Sequence, residues 1–139
     1  MNRRSAAAAA AVAGVLLVAG CASGSTGKAP TAAELEGSWI QNGAGFERGV
    51  PVTWENQKVV IERADGQGFT GYKEYTREGE PPQKEIINGA VGTDGRILMA
   101  DEDGVFDGRL VDGKIVGQYT ETGDDAGVIN VELTRGAQG

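Results

Sequence analysis

The sequence predicts an all-β fold: a small antiparallel up-and-down β-barrel of about eight strands, preceded by a leader and a flexible tether. Three observations predict it. Short runs alternate apolar and polar residues at the two-residue period of a half-buried strand. Asp-Gly pairs punctuate these runs at Asp65-Gly66, Asp94-Gly95, Asp103-Gly104 and Asp112-Gly113, and such pairs supply the positive φ of tight hairpin turns. No stretch after Cys21 carries a helical stripe, although Thr31 to Leu35 can form one turn leading into the first strand.

The elements follow in chain order. Residues 1–20 have the organisation of an export signal: Met1-Asn2-Arg3-Arg4 is the positive start, Ser5 to Val18 the apolar middle, and Val18-Ala19-Gly20 the small residues before a cleavage point. The apolar run falls short of the ~20 residues that span a bilayer. Arg3-Arg4 hints at twin-arginine export, but no bulky apolar residue follows closely, which favours the general secretory route. The single Cys of the chain is Cys21. Leu17-Val18-Ala19-Gly20-Cys21 resembles the lipobox of bacterial lipoproteins. That resemblance implies a diacylglycerol thioether on Cys21 and cleavage just before it. Two acyl chains are enough for a stable anchor, so the expected location is the cell envelope, outside the cytoplasm. Ala22 at the position after Cys21 resembles outer-membrane sorting if the host is Gram-negative.

Residues 21–33 are Ser, Gly, Thr and Ala with one Lys and one Pro, and read as a lipidated flexible tether. Residues 34–136 form the barrel domain, and 137–139 a tail. The strand runs are 37–42, 52–54, 58–63, 69–77, 84–91, 96–100, 105–110, 114–121 and 128–134. Phe106, Gly108 and Leu110 share one face of their run, as do Ile115, Gly117 and Tyr119, and Ile129, Val131 and Leu133. Hairpin-length links imply a meander, and closure into a barrel removes its two exposed edges. Glycines within the runs, notably Gly71, Gly89, Gly108 and Gly117, suit the sharp coiling of a small barrel. Residues 77–82, with Pro81-Pro82, and residues 43–51 read as rim loops.

A second resemblance lies in the domain. Leu35-Glu36-Gly37-Ser38-Trp39 with Asn42-Gly43, then Gly68-Phe69-Thr70-Gly71-Tyr72, Gly117-Gln118-Tyr119, and Ile129-Asn130 with Leu133-Thr134 resemble the avidin and streptavidin pattern in order. The resemblance implies an eight-stranded up-and-down barrel, with Asn42 and Tyr72 matching polar ligand-binding positions. It does not extend to the tryptophan box of biotin sites. Only Trp39 and Trp54 are present, and Ile115-Val116 stands where that family has a Trp. The ligand-binding candidates are therefore Trp39, Asn42, Trp54, Tyr72 and Tyr119, with core filling as the alternative role for most of the aromatics.

Charge and chemistry narrow the function. The chain has 13 Lys plus Arg against 20 Asp plus Glu, a net charge of −7. Loss of Arg3 and Arg4 with the leader leaves 11 against 20, or −9. This balance disfavours nucleic acid and favours a basic partner through steering. There is no His, hence neither the commonest general base nor the commonest metal ligand. Asp101, Asp103 and Asp107 with Glu102 are the densest carboxylate group, but their spacing does not match a calcium loop, and they read as a solvated hairpin. Asp124-Asp125 reads as an exposed loop. No carboxylate pair or activated nucleophile stands out, so no catalytic residue, metal or cofactor is expected. The leading expectation is an envelope barrel that binds a small apolar or amphipathic ligand. The alternatives are an interaction or inhibitor module with an acidic surface, and a passive envelope component. Small lipoprotein inhibitors of lysozyme are also barrels, but their motifs are missing, and one Cys cannot make their usual disulfide.

Overall fold

The structure is a computed structural model and describes residues 28–76 and 79–137. The leader, Cys21 and most of the tether lie outside the described residues. Eight strands follow one another: β1 (Gly37–Glu47), β2 (Val50–Asp65), β3 (Gly68–Tyr75), β4 (Gln83–Val91), β5 (Arg96–Ala100), β6 (Gly104–Val111), β7 (Lys114–Glu121) and β8 (Gly127–Arg135). Each pairs antiparallel with the next, and β8 pairs back onto β1 to close the barrel. The expected all-β barrel is thus present, and its strand alternation holds. Phe106 and Gly108, Ile115 and Tyr119, and Ile129, Val131 and Leu133 are buried, as their runs predict.

Two boundaries differ from the sequence reading. The runs 52–54 and 58–63 are one strand, because the residues between them form a β-bulge rather than a turn. Gln41 pairs with Gln57 and Gly43 with Trp54, so Asn42 faces two residues of β2. Asn56 takes the left-handed conformation at φ 55°, and its N–H donates to Asn42 Oδ1 at 3.0 Å. The bulge re-aims the strand, which lets Trp54 and Gln57 both face inward. Residues 43–51 are likewise no loop. β1 runs on to Glu47 and turns at Arg48 (φ 50°) and Gly49 (φ 79°), the same two-residue turn that Asp112 (φ 50°) and Gly113 (φ 79°) make between β6 and β7. Gly79–Pro82 do lie outside the strands.

One end of the barrel is plugged. The expected turn before β1 is a short 3-10 turn, Ala33–Leu35. Thr31 and Glu34 hold it reciprocally: Thr31 N–H donates to Glu34 Oε2 at 2.6 Å, and Glu34 N–H donates to Thr31 Oγ1 at 3.3 Å. Ala32 and Leu35 are fully buried in one cluster with Trp39, Ile61, Ile97, Ile115 and Leu133. The Trp39 indole N–H donates to Leu35 O at 2.9 Å. The Arg135 guanidinium lies 3.9 Å from the Trp39 ring centre and donates to the carbonyls of Glu36 (2.7 Å) and Glu34. The start of β1 and the end of β8 both sit here, so the described domain begins and ends at the plugged end.

Candidate functional site

The opposite end is open and encloses a cavity of about 550 Å³. Its floor is polar. Along β3 the inward positions after Phe69 and Gly71 are Lys73 and Tyr75. Lys73 pairs directly across β4 with Glu85, and the next inward position after Ile97 and Met99 on β5 is Asp101. The Lys73 ammonium donates to Asp101 Oδ2 at 2.7 Å and lies 3.1 Å from Glu85 Oε2. These side chains are deeply buried, at 10% exposure for Lys73, 3% for Asp101 and 13% for Glu85. Tyr119 O–H donates to Asp101 Oδ1 at 2.5 Å, and Tyr75 O–H to Glu85 Oε1 at 2.6 Å. The ammonium also sits 5.0 Å from the Tyr119 ring centre and 5.4 Å from that of Tyr75. Beside it, Gln41 Nε2 donates to Gln57 Oε1 at 2.7 Å.

The charges of this floor satisfy one another. Burial pushes the Asp101 carboxyl up, but the Lys73 contact, with help from the Tyr119 hydroxyl and the Gly104 N–H, outweighs it and holds the group below the usual range. Burial pushes the Tyr119 hydroxyl up, and so do its bond to Asp101 and that carboxylate's charge, so it stays a donor. Glu85 Oε2 is buried without a hydrogen bond. The nearby ammonium gives it charge compensation only.

The mouth above is a second tier. It is lined by Glu47 at the end of β1, Trp54 and Glu55 on β2, Tyr75 on β3, Asp103 before β6, Glu121 at the end of β7, and Arg48 and Asp125 at the rim. Trp54 meets Tyr119 edge to face, with ring centres 5.3 Å apart, and so links wall to floor. Glu47 and Glu121 both stand opposite Gly127 of β8, one on each side, and no side chain lies between them at that position. Burial pushes Glu121 up to about 7, with the charges of Glu47, Asp103 and Asp125 adding to the shift and Lys73 opposing it.

The sequence candidates separate. Trp54 and Tyr119 belong to this cup. Trp39 is a core residue of the plugged end, where its ring is fully buried. Asn42 faces outward and holds the β2 bulge. Tyr72 is outside as well, because Phe69, Gly71 and Lys73 take the inward parity of β3, and the Lys84 ammonium covers its ring at 3.5 Å. Asp101 is a correction of another kind: its carboxylate is no part of a solvated hairpin. It turns inward and accepts the N–H groups of Asp103 (3.1 Å) and Gly104 (2.9 Å), so an Asx-type turn replaces the expected Asp-Gly turn there. Glu102 and Asp103 are exposed, and Asp107 faces outward in a paired contact with Arg96. Among the described residues, no group of three or more carboxylates is arranged to hold a metal ion.

Sequence reasoning missed Lys73, Glu85, Asp101 and Glu121. Their signal is parity: Phe69-x-Gly71-x-Lys73, Glu85-x-Ile87, Ile97-x-Met99-x-Asp101 and Tyr119-x-Glu121 all continue apolar inward faces. In comparisons with known proteins, the chain matches no family model and no curated sequence.

Proposed function

We propose that this protein is a lipid-anchored envelope protein whose barrel binds a small polar molecule in the cup at its open end. The cup carries the reading: a cavity of about 550 Å³, on the scale of small-molecule sites, with convergent polar groups above a charge-paired floor. Apolar side chains fill the other half of the interior. What space remains is lined by charge and aromatic rings, which turns the expectation from an apolar or amphipathic guest to a polar one. The leader and Cys21 support the anchor. The chain enters the domain at its plugged end, opposite the cup.

Two experiments test this. Intact mass of detergent-extracted native protein should give Cys21 as the acylated first residue, and Cys21→Ala should leave the protein in the soluble fraction. An unmodified thiol at Cys21 removes the anchor from the proposal. For the cup, a library of water-soluble small molecules is screened by amide chemical shifts on the domain. Binders should move Glu47, Trp54 and Glu121 together, and Trp54→Ala should weaken them. A library without such a binder sinks the binding role.

A further inference from the structure

We propose that the cup takes an organic cation, an ammonium group carried on a small organic body. This rests on the reading of the cup as a binding site and names the chemistry of its guest. The barrel already holds one ammonium of its own. At the floor, Lys73 sits between two carboxylates, Asp101 and Glu85, and within about cation–π distance of the Tyr119 and Tyr75 rings. The tier above repeats those components with no cation paired to Glu121: Glu47, which Arg48 approaches to 3.7 Å, and Glu121 flank a gap at Gly127, and the Trp54 ring forms the wall.

The charges within reach are already accounted for. The cup is lined by five carboxylates, from Glu47, Glu55, Asp103, Glu121 and Asp125, and by two cations, Arg48 and Lys73. Lys73 is committed to Asp101 and Glu85. Arg48 sits at the rim, 63% exposed, against Asp125 (3.4 Å) and Glu47 (3.7 Å). Neither pairs with Glu121. An anionic guest would meet an excess of carboxylates, whereas a cationic one relieves their mutual repulsion. The size of the cavity favours an organic cation over a bare ion, and the Trp54 face gives it an apolar side to lie against.

Glu121 makes this binding sensitive to pH. Facing it are Glu47 from β1, Glu55 from β2, Lys73 and Tyr75 from β3, Asp103 before β6, and Asp125 and Arg48 at the rim. Its carboxyl titrates near 7, so a guest of fixed charge should bind more tightly at pH 8 than at pH 5.5.

The test uses choline, whose charge does not change with pH, together with its neutral isostere 3,3-dimethylbutan-1-ol and the anion 3,3-dimethylbutanoate. A second pair is n-butylammonium and 1-butanol. Titrations of the full domain are followed by the shifts of Glu47, the Trp54 indole and Glu121. The cations are expected to bind at least about tenfold more tightly than their neutral partners, the scale of one charge-assisted contact. Glu121→Gln should lose a similar factor and flatten the pH dependence. Glu47→Gln supplies the affinity comparison if the first variant does not fold. If the neutral or anionic compounds move the cup signals as strongly as the cations, the cation assignment is overturned and the cup survives as a polar site. If no compound moves them, while the screen described above yields other binders there, the cation assignment again fails alone. If neither screen finds a binder, both readings fail.

Discussion

At the plugged end, inward-facing positions carry Leu35, Trp39, Ile61, Ile97, Ile115 and Leu133, all essentially free of solvent. At the open end, the inward parity carries Glu47 on β1, Lys73 on β3, Glu85 on β4 and Glu121 on β7, with Asp101 just past the end of β5. The first set gains stability by leaving water, roughly in proportion to apolar area. The second loses hydration, and its most deeply buried members, Lys73, Asp101 and Glu85, are tolerated because each meets an opposite charge. The difference teaches that this barrel is folded by one half and shaped for binding by the other, with Trp54 and Tyr119 at the join.

Several substitutions break or sharpen that contrast. The largest loss is expected from Trp39→Ala, about 3–5 kcal/mol, because it opens a void beneath the plug and removes the seat of Arg135. Chemical denaturation measures the loss, and the cup signals of the folded fraction should stay in place. Lys73→Met should cost about 3 kcal/mol, since Asp101 and Glu85 would remain buried without their cation. Adding Asp101→Asn and Glu85→Gln should return most of that loss, whereas truncating several core residues at the plugged end would only accumulate cost. Gly104→Ala should cost about 2 kcal/mol by overpacking. A Cβ there would meet Thr120 O at 2.3 Å and the Tyr119 hydroxyl at 2.9 Å, and should be seen to shift the Tyr119 ring signals. Asn42→Ala should cost about 1 kcal/mol through the unpaired Asn56 N–H, and Trp54 fluorescence should report the disturbed bulge.

The smallest effect at neutral pH is expected at Glu121, which is partly solvent-screened. Its folded carboxyl titrates near 7, above the 4.5 of the unfolded chain. The folded state therefore holds a proton between these values that the unfolded chain has lost. Stability from this group is fully present below pH 4.5 and is lost as pH rises through 7. Asp101 acts in the opposite sense: its lowered pKa contributes stability above about 3.8 that fades on further acidification. Melting temperatures across pH 3 to 8 should rise and then fall, and Glu121→Gln should flatten only the neutral limb. A flat neutral limb in the unsubstituted protein would refute the electrostatic account of the mouth.

Much of the barrel was legible because its signals are local. Asp112-Gly113 makes its turn with two adjacent residues, and the alternation in β6, β7 and β8 repeats every second position. Arg48-Gly49 was not read as a turn, and the β2 bulge split one strand into two runs, because both depend on which residue of a neighbouring strand lies opposite. Asn42 and Tyr72 were sought in the site from a resemblance of short motifs, but strand parity sends both outward.

What the sequence by itself determined is the class and the chain order: an all-β meander whose strands each bury one face, set by residue spacing and turn chemistry. Only the tertiary structure decided which charged residues share the interior. Parity assigns Lys73, Glu85, Asp101 and Glu121 to a face, but closure of β8 onto β1 brings those faces together and puts an ammonium within 2.7 Å of a carboxylate 28 residues away. Burial of charge is governed by distances across the barrel, and no local pattern contains those distances.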